Sequence, residues 1–138
     1  MDGPGTGRRR MRAVIAWMAE PQTTDVMRVH QSLFVFALQD EALRERLAGE
    51  FARWRQPFVT LFRRIAEESG VDGIDARALG ETFAAAADAL VQEQSIDPSI
   101  PTERMLTATF ERLVAGAGAG ASGQTRRPAA SGTKRSTS

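Results

Sequence analysis

His30 is the only histidine in the 138 residues, and the chain has neither cysteine nor tyrosine. Nucleophilic catalysis of the serine–histidine or cysteine–histidine kind needs a base beside the nucleophile and a third group to orient it. One histidine on an apolar stretch does not supply that. A zinc centre needs three or four histidine, thiolate or carboxylate ligands. Di-iron sites in helix bundles use Glu-x-x-His pairs, and none occurs in the sequence. The expectation is therefore no enzyme, with no catalytic residue, no metal site and no cofactor.

What remains is recognition by apolar surface. Trp17, Phe34, Phe36, Phe51, Trp54, Phe58 and Phe62 crowd the first half of the chain at helical spacings. Such rings pack a core by default, and a subset of them with a few polar groups makes a small-molecule cavity. His30 carries the same two readings. It is either a half-buried histidine bonded to a neighbouring helix or a polar contact in a cavity, with Met27 and Phe34 about one turn to either side. The candidate ligand-binding residues are Trp17, Met27, His30, Phe34, Phe51, Trp54 and Phe58.

Helices must position these groups. The first spans about Arg8–Ala19, with Val14, Trp17 and Met18 in phase and Pro21 beyond its end. Thr24 or Asp25 caps a second, reaching about Gln39, whose half Leu33–Leu38 is apolar all round. It reads as a buried central helix. Asp40 caps a third that runs to Ser69, where Gly70 stops it. Leu43, Leu47, Phe51, Trp54, Phe58, Leu61, Phe62 and Ile65 give it one apolar face that keeps its phase across Pro57. A kink is expected there rather than a break. The fourth covers about Asp75–Gln94 and the fifth Pro101–Ala115, proline being favoured in a first helical turn. The fold expected is all-α, a five-helix bundle over residues 8–115. A disordered N-terminus is expected over 1–7, and a disordered low-complexity tail over 116–138.

No apolar run approaches the length of a bilayer span. The absence of cysteine fits a cytoplasmic setting. The net charge of +1 conceals an uneven distribution. Setting aside the four cations Arg126, Arg127, Lys134 and Arg135 leaves −3, and setting aside Arg8, Arg9, Arg10, Arg12 and Asp2 leaves −6 over residues 13–115. An acidic body is a poor partner for phosphates, so specific DNA binding by this chain alone is not expected.

The last two helices are each two-faced. Ala84 to Ala87 and Ala89 leave the flanks of the Leu79/Phe83/Leu90 face smooth. The fifth helix carries Leu106/Phe110/Leu113 beside Met105/Thr109/Arg112. Two such helices closing a small domain suit an intermolecular four-helix bundle. A homodimer through Phe83, Ala87, Leu90, Met105, Thr109 and Leu113 is the expectation.

The segment Arg12-Ala13-Val14-Ile15-Ala16-Trp17 resembles the opening of the regulatory domain of TetR-family repressors, the betaine-responsive subgroup in particular. So do Ala42–Leu47 and Phe51-Ala52-Arg53-Trp54-Arg55-Gln56-Pro57. Ala86–Leu90 sits where that family has an alanine-rich stretch ending Asp-Gly-Leu, with Ala89 in place of the glycine. Asp97-Pro98 and the Pro101–Val114 helix follow in family order. The resemblance covers about residues 10–115. It implies an unknown small hydrophobic or amphipathic effector among the first three helices and a dimer through the last two. It also implies control of a helix-turn-helix module for which residues 1–7, with Gly3, Pro4, Gly5 and Gly7, leave no room. The chain is then a truncated regulator, one whose start lies upstream, or a stand-alone sensor. The alternative is a helical dimerisation protein without a ligand that modulates full-length regulators by heterodimerisation.

Overall fold

The computed structural model describes residues 5–124, apart from the side chains of residues 22–25, 27, 30 and 121–124. Five helices follow one another: α1 (Thr6–Met18), α2 (Pro21–Ala37), α3 (Glu41–Ser69), α4 (Ala76–Ile96) and α5 (Thr102–Gln124). The described residues contain no strand, and the all-α five-helix architecture is as expected.

Local chemistry sets most boundaries. The Asp40 carboxylate accepts from the backbone N–H of Leu43 at 3.0 Å, which caps α3. Gly70, at φ 61°, ends that helix in the left-handed conformation. Asp75 caps α4 in the same way through Ala78 N–H at 2.9 Å. In the loop before α5, the Asp97 carboxylate accepts from the N–H and hydroxyl of Ser99, and these bonds hold it below the usual carboxylate range. α3 runs unbroken through Pro57.

The core is a continuous cluster from four helices. Met11, Ile15 and Met18 come from α1, and Phe58, Phe62 and Ile65 from α3. Phe83, Ala84, Ala87 and Val91 come from α4, and Leu106 and Phe110 from α5. All three α3 residues follow Pro57, so the second half of that helix is the axis of the domain. Five aromatic rings interlock through it, from Trp54 by way of Phe58, Phe83 and Phe62 to Phe110, with centroids 5.3–6.3 Å apart. Edge and tilted pairs at such distances add to the stabilisation that burial itself provides. α3 and α4 approach most closely at Gly80, where a Cβ would fall 2.6 Å from the Cα and N of Val59.

Four expectations need correction. α2 opens at Pro21, the proline seating itself in the first turn. It is not a buried central helix either. Val26, Val29, Phe34, Val35, Phe36 and Leu38 are all more than half exposed, because α2 lies outside the main core cluster and only residues such as Ala37 turn inward. Finally, α5 does not stop at Ala115. It continues to Gln124 through the alanine–glycine repeat expected to be disordered. Once packed turns have nucleated a helix, each added residue gains a backbone bond, and alternate alanines offset the glycine penalty. Likewise α1 begins at Thr6, inside the segment expected to lack structure, while residues 1–4 and 125–138 lie outside the described residues.

Candidate functional site

The last turn of α1 and the middle of α3 bring two tryptophans together. Their ring centroids are 6.5 Å apart with planes tilted by 47°. Trp17 is half exposed, Trp54 is partly buried and Phe58, edge-on to Trp54 at 5.3 Å, is fully buried. Three of the expected ligand-binding residues therefore form one aromatic run from solvent into the core. The spacing of four between Trp54 and Phe58 places both on one face of α3. Phe51, one turn earlier, is partly buried, and Phe34 lies half exposed on α2. The side chains of Met27 and His30 lie outside those described.

Buried polar groups on α2, α3 and α4 are incompletely paired. The indole Nε1–H of Trp54 is buried with no hydrogen-bond acceptor, and the side-chain amide nitrogen of Gln31 is in the same condition. A buried donor without a partner costs about 1–3 kcal/mol. Native structures keep few of them. Gln94 bridges α4 to the end of α1, its Nε2 donating to the Ala19 carbonyl at 3.4 Å while its Oε1 has no partner. Arg28 of α2 donates to the Ser95 carbonyl at 3.1 Å, tying α2 to the C-terminal end of α4. Neither glutamine belongs to a motif in the sequence. Their polarity on otherwise apolar helix faces was the available signal.

The other end of α1 is gripped by carboxylates. Both oxygens of Glu68 accept from the Gly7 N–H, at 3.1 and 3.2 Å, while Arg64 bonds the same carboxylate. Arg8 and Arg12 reach Glu111 of α5 at 2.8 and 3.3 Å, and the Arg8 guanidinium lies 6.0 Å from the centre of the Phe110 ring. A negative group at the first turn of a helix also suits its dipole. α1 thus has its C-terminal end at the aromatic run and its N-terminal end held by α3 and α5.

The residues expected to join two copies divide. Phe83 and Ala87 are 0% exposed within the protomer and have no surface to offer a partner. The expectation for them is corrected: the stripe they share faces the protomer's own α3 and α5. Met105 is exposed, while Leu90, Thr109 and Leu113 are partly buried at the domain surface. Beside them on α4, Ala85 and Ala89 are exposed.

Away from these groups, an open depression of about 440 Å³ lies at the α3–α4 turn, lined by residues such as Arg63, Glu67, Asp72 and Arg77. Among the described residues no three histidine, cysteine or acidic side chains cluster as metal ligands, and no helix is long and apolar enough to cross a membrane.

Comparison with curated proteins and with solved structures finds no match. The family model of the BetI-type transcriptional repressor C-terminal domain matches residues 7–128, from the first turn of α1 to beyond the end of α5. With that match over most of its length and five helices in the expected order, the chain belongs to the C-terminal regulatory domains of BetI-type repressors, within the TetR family.

Proposed function

We propose that the chain is the effector-sensing and dimerisation domain of a TetR-like transcriptional regulator acting in the cytoplasm. The observation that carries this reading, beside the family, is the tryptophan pair. A half-exposed Trp17 and a Trp54 with an unpaired buried donor form an apolar, incompletely satisfied entrance to the core. A small hydrophobic or amphipathic molecule binds there against Trp17, Trp54 and Phe58, with Phe34 and Phe51 as further candidate contacts. Two copies join through the outer surfaces of α4 and α5. In the complete regulator a DNA-reading module precedes α1. Because α1 joins the ligand end to the Glu68 and Glu111 anchors, a ligand that prefers one placement of α1 shifts the population toward it.

Titration of the full chain with naphthalene-based amphiphiles tests the site. Tryptophan emission is expected to change saturably, and the melting temperature to rise. At a ligand concentration a hundred times Kd, mass action adds about 2.7 kcal/mol of stability. Trp17→Ala should weaken binding by about tenfold, the order expected when a ring contact is lost. Unchanged emission and melting across the series would favour the ligand-free dimerisation protein instead.

A mobility-shift assay tests the division of labour. Reading bases requires an element inserted in a groove. α1, α3, α4 and α5 each place side chains in the protomer's core, and α2 carries few cations. The chain alone is expected to form no discrete complex that survives excess nonspecific duplex. Any weak association should fade between low and physiological salt as counterion release demands. A salt-resistant, sequence-selective complex would show that a reader lies within these residues.

A further inference from the structure

We propose that the Trp54 indole N–H is the polar recognition element of the ligand site, and that its ligand is a flat aromatic molecule without a carboxylate, bearing a carbonyl oxygen. The inference rests on the ligand-site reading above and gives it a chemical class. Trp54 Nε1 is buried and has no acceptor. A buried indole ordinarily finds one. The two rings paired with it, Trp17 at 6.5 Å and Phe58 at 5.3 Å, offer no oxygen. A molecule inserted beside it can therefore supply the missing acceptor while keeping apolar contact on both sides.

The surroundings select the rest of the ligand. The arginines nearest in sequence, Arg53 and Arg55, are exposed, and Arg53 is already bonded to Glu50. Turned to solvent, neither of these two guanidinium groups meets a carboxylate buried beside Trp54, whereas a ketone or aldehyde oxygen carries no charge to desolvate. The two flanking rings present π faces and edges, which suit offset or edge-on contact with a further aromatic ring. Access runs past Trp17, the ring of the three that borders solvent and that stands in the last turn of α1. A ligand that reaches the donor therefore displaces a side chain in the last turn of α1.

The test uses the full chain and two probes of similar shape, 2-acetylnaphthalene and 2-ethylnaphthalene, in proton–nitrogen correlation spectra. The two tryptophans give two indole N–H signals, assigned with Trp17→Phe. The ketone is expected to move the Trp54 signal downfield, as a new hydrogen bond does, and the hydrocarbon to leave it near its original position. Trp54→Phe keeps a ring but removes the donor. It should cut ketone affinity relative to hydrocarbon affinity by about 3–10-fold, the worth of one hydrogen bond. If both probes bind and shift the Trp54 signal alike, or if Trp54→Phe leaves their ratio unchanged, this inference fails and the ligand site stands. If neither perturbs either tryptophan, the site itself falls with it. The wild-type spectra decide the matter even if Trp54→Phe folds poorly.

Discussion

Gly80→Ala is expected to destabilise the domain by about 3 kcal/mol or more, although alanine is the better helix former. Two effects of opposite sign compete at this position. Exchanging glycine for alanine inside a helix gains about 1 kcal/mol through backbone entropy. At Gly80, however, the new methyl would lie 2.6 Å from both the Cα and the N of Val59 and 2.9 Å from its Cγ2. A clash with a flexible side-chain end relaxes by rotation. A clash with backbone requires α3 and α4 to separate, and these helices bury Phe58, Phe62, Phe83, Ala84 and Ala87 between them and their neighbours. Overpacking of this sort costs about 1–3 kcal/mol where side chains yield, and more where they do not. The melting midpoint should fall by roughly 10 °C or more. Gly49→Ala is the control. That glycine lies exposed in α3 with nothing within 4 Å of the added methyl, so propensity acts alone and a gain of about 0.5–1 kcal/mol is expected. Calorimetry on both variants checks the pair. A Gly80→Ala protein that melts at or above the wild type would mean that α3 and α4 do not meet as described.

The sequence was legible where one effect dominated. Asp40, Gly70 and Asp75 mark helix ends through short-range bonds and a left-handed residue, and they mark the same ends in the structure. The apolar stripe from Phe58 to Ile65 has a helical period and occupies the core. α2 departs from its expected burial because hydrophobicity alone does not say what covers a helix. Val35 and Phe36 would be core residues had another element packed over them, and none of the described helices does. Gly80 carried no readable signal, since close approach of two backbones depends on a partner residue, Val59, that lies distant in sequence. The same holds for Glu68 and Glu111. Each reads as an ordinary surface acid, Glu68 even as half of an i, i+4 pair with Arg64, and only the fold brings α1 to them. At the candidate site, helical spacing identified Trp54 and Phe58 together, while the contact with Trp17 depends on how α1 crosses α3.

Replacing both Ala85 and Ala89 with glutamate is expected to convert a dimer of about twice 15.0 kDa into a monomer with unchanged helical content. The proposed contact uses the outer surfaces of α4 and α5. Ala85 and Ala89 are exposed there, spaced by four on one face, and their small side chains let a second helix approach closely. Met105, partly exposed, and Leu90 and Leu113, partly buried, supply apolar contact nearby. Thr109 satisfies its hydroxyl within α5 by donating to the Met105 carbonyl at 2.9 Å, so it brings no unmet polar demand to an interface. Interfaces between obligate partners bury roughly 2,000 Å² or more and are largely apolar. Four carboxylates placed together at the centre of such a contact would lose hydration and repel one another, a penalty of several kcal/mol and so a thousandfold or greater loss of affinity. Light scattering during size exclusion reads the mass, and circular dichroism reads the fold. A wild-type monomer at micromolar concentration overturns the proposal, as does a double variant that stays dimeric. Ala87→Arg serves as the contrasting case. With Ala87 fully buried in the protomer's own core, a guanidinium there has no solvent and no partner. That variant should lose its helical signal instead of its partner, which separates a residue that holds the protomer together from residues that face another copy.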